Sequence, residues 1–584
     1  MQTEATQVNQ NVRYEPDERL SPSLTLGLGF QYAALIVGGI VLTPAIIVRA
    51  AGESEIYLAW AVFAALAVSG FTTVIQAVRV GRIGSGYPLL MGTSGAFIAV
   101  SVTALAEGGP AMLATLVIIS SLFQFALSEH LALFRRLITP AVAGTVIMLI
   151  SVTIMPIAFD MLTQVPAGTP AAAAPACAIA TFAATLVLIF CARGVLRLWA
   201  PMLGVVIGCF VAAGFGLYDV NRVLEASWIG LPDTGSWPGF DLEFGIVFWT
   251  LLPAFIFVTL VGAIETIGDA VAIQKVAWRE PRATDFRTVQ GAVAADGVGN
   301  LLSGLAGTVP NTTYSSSIAL AEITGVAARR AGACVGVLFL IMAFLPKLIS
   351  LFLAIPDPVI GAYILVIMGV LFVLGMQVVI QDGIDYRKAV LVGVSFWVGA
   401  GFQNDLFFNE YLNDWLRDLL GNGMTAGGLT AILLTVFINM TGPRRRRMET
   451  ELDMSALDKV KEFLNGFATA REWSTEAFDR LCLVAEETML ILSQLDDDGG
   501  TDKKRRLLLV AREDGGAAEL EFIAAADTGN IEDRIALLGR QASEDAVEHE
   551  ISLRLLRHFA SSVRHQQYSD ADIVTVRVKA GAAG

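Results

Sequence analysis

The chain contains many apolar runs that are each long enough to cross a lipid bilayer as a helix. Of its 584 residues, 55% are hydrophobic and only 16% are charged, and the mean hydropathy is +0.63. A spanning helix needs about 20 apolar residues. Clear candidates lie near 24–48, 56–78, 110–130, 140–160, 173–192, 200–217, 246–274, 331–354, 357–380, 387–402 and 426–441, with shorter or interrupted runs at 88–105, 288–306 and 314–326. The sequence therefore predicts a polytopic α-helical membrane protein of about fourteen spans.

The basic residues predict the orientation of these spans. The first residues are polar and show no signal peptide, so the N-terminus is expected to stay in the cytoplasm. About fourteen crossings then place the basic clusters, from Arg79 and Arg82 to the arginine run 444–447, on one side of the membrane. We therefore expect a multi-pass protein of the plasma (inner) membrane with both termini in the cytoplasm.

The acidic charge is concentrated at the C-terminal end of the chain. Residues 448–584 hold 27 acidic and 16 basic side chains, a net charge of −11 out of −14. The predicted organisation is a cytoplasmic N-terminal tail (1–22), a membrane domain (23–442), a basic boundary and linker (443–455) and a soluble cytoplasmic α/β domain (456–580). Within this last domain, periodicity predicts helices near 456–468, 475–494 and 544–560 and strands at 506–510, 518–523 and 572–578.

Two carboxylates lie inside one of the apolar runs. Glu265 and Asp269 are the only charged residues among residues 245–274. A charged residue in hydrocarbon costs about 2.5–3.5 kcal/mol on insertion scales, so it usually faces a protein interior or a water-filled path. The spacing places both side chains on one helix face, and a carboxylate pair away from water can take up a proton near neutral pH. The pair predicts a substrate or proton site, while a purely structural role as caps or as partners of structural donors stays open.

Two other spans are interrupted by glycine, proline and serine. The interruptions, at residues 86–95 and 309–317, fall in the third and tenth spans, at matching places in two groups of seven. Such a pair indicates an inverted-repeat transporter with its site at the midplane, where helix N-termini present free N–H groups. Ser94, Ser316 and Ser317 are expected to cap these helices and face the substrate. The alternative is that small residues here only allow helices to pack closely.

Several distributed motifs carry a resemblance to a known family. They are Gln31-Tyr32, Gly92-Thr93-Ser94, Glu265-Thr266-Ile267-Gly268-Asp269, Ala295-Asp296-Gly297, Pro310-Asn311-Thr312-Thr313-Tyr314 and Thr324-Gly325-Val326-Ala327-Ala328-Arg329. From about residue 14 to 442, the chain resembles the nucleobase–cation symporter-2 (nucleobase–ascorbate) transporters, which include xanthine and uracil permeases. The resemblance implies seven-plus-seven inverted repeats, with a core domain of spans 1–4 and 8–11 and a gate domain of spans 5–7 and 12–14.

The resemblance also implies roles for individual residues. In the family, the residue matching Glu265 hydrogen-bonds ring N–H groups of the base, and the residue matching Asp269 is tied to proton coupling. Xanthine-type members share this Glu/Asp pair. Asp296 either lines the site, as a further proton-coupling residue, or organises the core through a hydrogen bond. Tyr314 is expected among the substrate-binding residues. The coupling ion is expected to be H⁺, with no cofactor, no metal and no catalytic residue.

The chain departs from the family pattern at two places in the expected pocket. Where the family signature begins with Gln or Glu followed by Asn, this chain has Ser316 and Ser317. Where many members have a Phe directly after the serine that matches Ser94, this chain has Gly95, with Phe97 two residues later. A ring stacked on a base contributes about 1–3 kcal/mol. We therefore expect a wider pocket, lined by these residues and less committed to a flat pyrimidine.

The C-terminal domain has a second, weaker resemblance. The order of its elements, together with Glu486-Glu487 and Asp527-Thr528-Gly529, is similar to the histidine-kinase-like ATPase fold of anti-sigma serine kinases. In working members an Asn four residues after the Glu holds Mg²⁺, but the chain has Leu490 or Ile491 there, and a hard cation needs oxygen ligands. The resemblance implies a degenerate nucleotide site at Glu487, Asp527 and Gly529, used for regulation or assembly.

Three functions are compatible with these features. The favoured one is proton-coupled uptake of a nucleobase, purine or xanthine-like, or of a related heterocycle, by an elevator-type transporter that is not an enzyme. The alternatives are an anion carrier of the sulfate or bicarbonate type on the same architecture, and a transporter-derived sensor whose cytoplasmic domain carries the output. The expected partners are a small-molecule substrate, the lipid bilayer, a second copy in a homodimer and a cytoplasmic regulatory protein that binds 456–580. No nucleic acid is expected among them.

Overall fold

The computed structural model divides the chain into two compact units. It describes residues 9, 11–134, 139–280, 282–380, 385–404, 406–407, 411–441, 446–494, 506–514, 516–524, 531, 547–569 and 571–580. One unit, here called the membrane unit, comprises Asn9–Arg279 and Thr288–Val436. The other, the C-terminal unit, is formed mainly by Phe437–Gly584.

The membrane unit is almost entirely helical. Its helices are α1 (Pro22–Ala50), α2 (Glu55–Val78), α3 (Ile98–Glu129), α4 (Leu131–Phe134), α5 (Pro140–Thr163), α6 (Ala173–Cys191), α7 (Val195–Leu198), α8 (Ala200–Gly214), α9 (Val220–Glu225), α10 (Ile246–Val276), α11 (Phe286–Leu305), α12 (Ser316–Thr324), α13 (Arg329–Ala343), α14 (Pro346–Leu353), α15 (Asp357–Ile380), α16 (Tyr386–Gln403), α17 (Asp414–Gly421) and α18 (Gly423–Thr441). Two short strands, β1 (Met91–Thr93) and β2 (Asn311–Thr313), interrupt this series.

Seven helices in the described part of the chain are long and apolar enough to cross a bilayer. An eighth is added if the pair α13 and α14, bent by 84°, is one span. The single span predicted at 331–354 is therefore two helices, because Pro346 starts a new one. The runs predicted at 88–105 and 110–130 meet instead in α3, which kinks at Gly109 (φ 74°) just before Pro110. The number of fourteen spans stays a prediction.

The two interrupted segments predicted from the sequence lie side by side. Strand β1 pairs antiparallel with β2, with Gly92 opposite Thr312 at the centre. A short 3₁₀ turn (Gly95–Phe97) follows β1 and leads into α3, and α12 follows β2. The ring of Tyr314 lies against Gly92, where an added Cβ would be only 2.5 Å from the ring, so glycine is required for this close approach. The pairing brings the two helix starts together inside the unit.

A short stretch of the described chain before α1 packs within the membrane unit. Residues 11–18, here called the N-terminal strap, run beside the chain that follows α12. The amides of Arg13 and Tyr14 both donate to the Gly325 carbonyl, at 2.8 and 3.0 Å, and the Ala327 amide donates to the Tyr14 carbonyl at 2.9 Å. The strap lacks the periodicity that marks a helix or strand, and this explains why its sequence suggested a tail.

The C-terminal unit is an antiparallel sheet with helices packed against it. The strands β3 (Arg446–Glu451), β4 (Arg506–Asp514), β5 (Ala517–Ala524), β6 (Ser562–Gln567) and β7 (Asp572–Lys579) lie in the order β3-β4-β5-β7-β6. The helices are α19 (Leu457–Thr469), α20 (Thr475–Gln494) and α21 (Val547–Phe559). Side chains from the sheet and the helices, among them Phe467, Leu481, Phe522 and Val576, form one buried core.

The predicted helices and the three predicted strands of this unit are present, within a few residues at their ends. The structure differs in two edge strands. Arg446–Glu451, predicted to lie in a linker, pairs along its whole length with β4, and Ser562–Gln567 pairs with β7. Strand β3 is mostly charged and exposed, as edge strands often are. It therefore carries no apolar alternation by which the sequence could have revealed it.

Candidate functional site

Glu265 lies in the middle of α10 and is only partly buried. Its carboxylate accepts no hydrogen bond from any residue within the described ranges. An unpaired carboxylate inside an apolar helix is costly unless something else satisfies it. Helix α10 also contacts the 3₁₀ turn, β2 and α12. Glu265 therefore has acceptor capacity to spare beside the two interrupted segments.

Asp269, one turn further along α10, is already satisfied. It is 5% exposed. Its Oδ2 accepts a hydrogen bond from the hydroxyl of Thr313 at 2.8 Å, and its Oδ1 accepts one from the hydroxyl of Ser315 at 2.7 Å. These bonds tie α10 to the last residue of β2 and to the residue before α12. The predicted pair of carboxylates thus divides into one that is unpaired and one that holds the second interrupted segment.

Asp296 lies deeper, on α11, and is 0% exposed. Its Oδ2 accepts from the side-chain amide of Gln124 at 2.6 Å and from the hydroxyl of Thr266 at 3.0 Å. Its Oδ1 has no partner among the described atoms. These hydrogen bonds join α11 to α3 and α10, so Asp296 organises the core, a role that is compatible with carrying a proton.

The network around Asp296 extends to β2. The Asn300 side chain donates to Gln124 at 2.7 Å, and the Asn311 amide donates to Asn300 at 2.7 Å. Gln124, Thr266 and Asn300 were not predicted as members of this network. Each of these residues places a side-chain amide or hydroxyl inside an apolar span, and this feature is visible in the sequence. Such a group needs a hydrogen-bond partner within a membrane protein, so it could have indicated the network.

The predicted capping serines behave differently from expectation. Ser94 and Ser315 occupy the positions before the 3₁₀ turn and α12, and neither side chain makes a capping hydrogen bond. The Ser317 hydroxyl donates to the Tyr314 carbonyl and accepts from the Leu90 amide at 3.0 Å. The prediction that Ser94, Ser316 and Ser317 cap these helices is therefore wrong. Ser317 instead fastens α12 to the residue before β1.

Ser94 and Ser316 stay candidates for substrate contact. Ser94 is 1% exposed and its hydroxyl has no partner among the described atoms. Ser316 is partly buried at the first residue of α12. No serine side chain caps either helix start. Several of the first amides, such as those of Ser317 and Phe97, already donate to nearby carbonyls, and any first-turn N–H group without such a partner could bind an electronegative atom.

Tyr314, Gly95 and Phe97 form the surroundings of the first interrupted segment. The Tyr314 hydroxyl donates to the Thr93 carbonyl at 2.9 Å, so it is committed to β1. A Cβ added to Gly95 would meet no atom within 4 Å, so this glycine faces open space. Phe97 is fully buried, with its ring centre 6.1 Å from that of Phe255. Phe97 therefore packs in the core and does not fill the space beside Gly95. The wider pocket stays a prediction.

Motif residues from the first and tenth predicted spans also meet. The hydroxyl of Tyr32, on α1, lies 2.7 Å from that of Thr324, the last residue of α12. The contact fixes the end of the short helix whose start faces the site. Together with Ser317 and Asp269, it holds α12 at both ends.

The residues predicted for a degenerate nucleotide site are only partly described. Asp527 and Gly529 lie outside the described residues. Glu487 is on α20, and its Oε2 is buried with no partner among the described atoms. The neighbouring Glu486 pairs with Lys461 at 2.9 Å. The resemblance to the histidine-kinase-like ATPase fold stays a prediction.

A bundle of long apolar helices around an unpaired carboxylate defines a multi-pass membrane protein with an internal polar site. The Xan_ur_permease model, which describes a permease family, matches residues 24–405, and the chain belongs to this family. Its members are permeases and not enzymes. The predicted membership of the nucleobase–cation symporter-2 family and the polytopic helical class are thereby confirmed.

Individual relatives cover most of the same region. The putative purine permease CPE0397 of Clostridium perfringens is 28% identical over 439 residues, which cover 73% of this chain and 93% of the relative. The xanthine permease XanP of Escherichia coli K12 is 28% identical over 453 residues, covering 73% and 95%. Among solved structures, the transmembrane domain of the cyanobacterial bicarbonate transporter BicA aligns at a TM-score of 0.45 and 14% identity, covering 73% of this chain and all of that one.

Proposed function

We propose that this permease carries a nucleobase, purine or xanthine-like, into the cell together with a proton. The observation that carries the proposal is the unpaired carboxylate of Glu265 beside two uncapped helix starts. A purine of the xanthine type has ring N–H groups for a carboxylate to accept and carbonyl oxygens for backbone N–H groups to bind. The names of the purine and xanthine permease relatives support the same class of substrate.

The proton is assigned to the aspartates of the membrane unit. The side chains that donate to Asp269 and Asp296 are all neutral. Ionising both groups at once in such surroundings would be costly without a compensating cation. Proton uptake by one of them, linked to substrate binding at the neighbouring Glu265, would couple the two fluxes. We assign the movement itself to an elevator-like displacement of the core domain against the gate domain in the plasma membrane.

The decisive variant is Glu265→Gln. A hydrogen bond to a charged group contributes about 1.5–3 kcal/mol, so its loss should lower the uptake of radiolabelled xanthine roughly 10- to 100-fold. Glu322→Gln is the matched control, because Glu322 is an exposed carboxylate on α12. The assay uses cells that lack their own xanthine carriers, with equal membrane amounts of each variant. Unchanged uptake by Glu265→Gln would show that this proposal is wrong.

The anion-carrier alternative is tested in the same assay. The two uncapped helix starts would suit an anion, but Glu265 would repel one. We expect urate and other purines to compete with xanthine, and sulfate and bicarbonate not to. If sulfate or bicarbonate, added at the half-saturating concentration of xanthine, lowers xanthine uptake, the anion-carrier alternative is favoured.

We also propose that the C-terminal unit is regulatory, and that the permease works as a homodimer. Leu490 and Ile491 offer no oxygen for a magnesium ion at the expected place. ATP binding is best measured on the full chain, because strand Arg446–Glu451 belongs to the sheet and a fragment starting at 450 would lack most of it. Magnesium-dependent ATP binding at micromolar concentration would contradict a degenerate nucleotide site, and magnesium-dependent ATP hydrolysis would contradict the non-hydrolytic role.

A further inference from the structure

A continuous row of hydroxyl groups joins the two aspartates of the membrane unit. The Thr313 hydroxyl lies 2.8 Å from Oδ2 of Asp269 and 3.2 Å from the Thr266 hydroxyl. The Thr266 hydroxyl in turn lies 3.0 Å from Oδ2 of Asp296. These four residues, here called the threonine row, are each at most 5% exposed. The path is therefore buried along its whole length.

The hydrogen bonds along the threonine row can all be donated in one direction or all in the other. A hydroxyl donates one hydrogen bond and accepts others, and its proton can rotate between neighbours. When Asp269 carries the proton, Asp269 donates to Thr313, Thr313 to Thr266 and Thr266 to Asp296. When Asp296 carries it, each of these three donations is reversed. Both arrangements use the same atoms at the same distances.

We propose that the threonine row is a proton relay between Asp269 and Asp296, an inference that rests on the proposed proton-coupled function. The proton leaves Oδ2 of Asp269 and binds the Thr313 oxygen, whose own proton passes to the Thr266 oxygen. The Thr266 proton then passes to Oδ2 of Asp296. Asp269 ends as a carboxylate, Asp296 as a carboxylic acid, and both hydroxyls are restored. The transfer moves one proton without moving a side chain.

Two features distinguish the ends of the threonine row. Asp269 touches the exposed Ser315 hydroxyl, so it is the end from which a proton can be exchanged with the site. Asp296 is fully buried, with one oxygen that has no partner among the described atoms. The remaining titratable group on this face of α10 is Glu265, which would be affected by the charge on either aspartate. The relay would thus determine whether Asp269 is neutral or ionised when substrate binds at Glu265.

The alternative is that the two threonines only hold helices together. Thr266→Val separates these roles, because it removes the hydroxyl while keeping the shape. Thr259→Val is the matched control: Thr259 is also a buried threonine of α10, and its hydroxyl has no partner among the described atoms. Thr266→Ser keeps the hydroxyl. Purified full-length protein in liposomes is assayed with radiolabelled xanthine for net uptake driven by a pH gradient, for xanthine–xanthine exchange, and for proton uptake with an entrapped pH dye.

A positioned proton-transfer group commonly contributes 10²–10⁴-fold to a rate. We expect Thr266→Val to lower net uptake and proton uptake at least about tenfold, with exchange reduced less than about threefold. Thr266→Ser should restore net uptake, and Thr259→Val should match the wild type. Thr313→Val interrupts the threonine row at its next member, so it should also lower net uptake and proton uptake more than exchange. This second variant tests the relay if Thr266→Val does not fold.

The outcomes separate the two proposals. Equal loss of exchange and net uptake in both valine variants would show a structural role and overturn the relay, as would wild-type net uptake in either folded valine variant. In both cases the proposed function would stand. A wild type that takes up no xanthine, or that takes it up without protons, would overturn the proposed function and the relay with it.

Discussion

The two interrupted segments share one backbone plan and have different chemistry. In both, a three-residue strand is followed directly by the start of a helix, and the two strands pair with each other. The first segment supplies small residues, with Gly92 beneath the Tyr314 ring and Gly95 facing open space. The second supplies hydroxyls, from Thr313 and Ser315 to Asp269. One segment has open space beside it, and the other holds a carboxylate.

The difference between the segments extends to the helices that follow them. Helix α3 continues for 32 residues, whereas α12 has only nine. A nine-residue helix is too short to be stable by itself. It is held at its start through Ser317 and at its end through the contact of Thr324 with Tyr32. The short helix therefore depends on neighbouring elements for its position.

The largest expected effect comes from adding a methyl group to the first segment. In Gly92→Ala the new Cβ would lie 2.5 Å from the Tyr314 ring. The ring is also close to Gly39, where an added Cβ would be 3.1 Å from the Tyr314 hydroxyl. The ring cannot yield easily, so the free energy of unfolding should fall by about 3 kcal/mol, the upper range for overpacking. Thermal unfolding of the full-length protein in detergent, followed by size-exclusion chromatography, measures this change.

Gly95→Ala is the matched control for Gly92→Ala. Its Cβ would meet nothing within 4 Å, so stability should change by less than about 0.5 kcal/mol. Equal destabilisation by the two alanines would contradict the view that the first segment combines one tightly packed glycine with one open glycine.

The next prediction fills the open space beside Gly95. Gly95→Phe places a ring where many family members have one, and stacking contributes about 1–3 kcal/mol per base. We expect uracil to compete with radiolabelled xanthine roughly 5- to 100-fold better in this variant than in the wild type. If the inhibition constant of uracil is the same in Gly95→Phe as in the wild type, the space beside Gly95 is not part of the pocket.

The comparison also explains which features the sequence could predict. Glycine and proline interrupt helices through local backbone chemistry, so residues 86–95 and 309–317 revealed both breaks. The carboxylates of Glu265 and Asp269 predicted a candidate site because charge in an apolar run is conspicuous. By contrast, Gln124 meets Asp296 across 172 positions of sequence, and no local pattern encodes such a contact. The capping serines were misassigned for the same reason: which partner a hydroxyl chooses depends on the tertiary neighbours.

A smaller effect distinguishes the serines of the two segments. Ser315→Ala removes one of the two hydroxyls that donate to Asp269, which should lower the free energy of unfolding by about 1 kcal/mol.

Ser94→Ala removes a hydroxyl with no partner among the described atoms and should leave the unfolding midpoint unchanged without substrate. With xanthine present, the Ser94→Ala protein should gain less thermal stability than the wild type, because a ligand stabilises only the folded state it binds. Destabilisation of the unliganded protein by Ser94→Ala would assign that hydroxyl a structural partner.

The smallest effect concerns the N-terminal strap, which lies beside the chain that follows α12. Arg279, just after α10, donates to both carboxylate oxygens of Glu18 at 2.7 Å and to the carbonyls of Val12 and Arg13. The hydrogen bonds from Arg279 hold the pKa of the Glu18 carboxyl below its ordinary value. The strap thus connects the chain after α10 with the chain after α12, the two helices that carry Glu265 and Ser316.

The lowered pKa of Glu18 sets the sign of a pH dependence. A carboxyl with a lower pKa in the folded protein contributes stability above its unfolded pKa, about 4.3, and loses it as the pH falls through the folded value. Because both partners are partly exposed, the contribution should be about 0.2–1 kcal/mol. Glu18→Gln should lower the unfolding midpoint slightly at pH 7, and the difference from the wild type should disappear below about pH 4. Glu322→Gln is the exposed-carboxylate control. A difference that persists undiminished in acid would show that Glu18 holds the strap through contacts other than its charge.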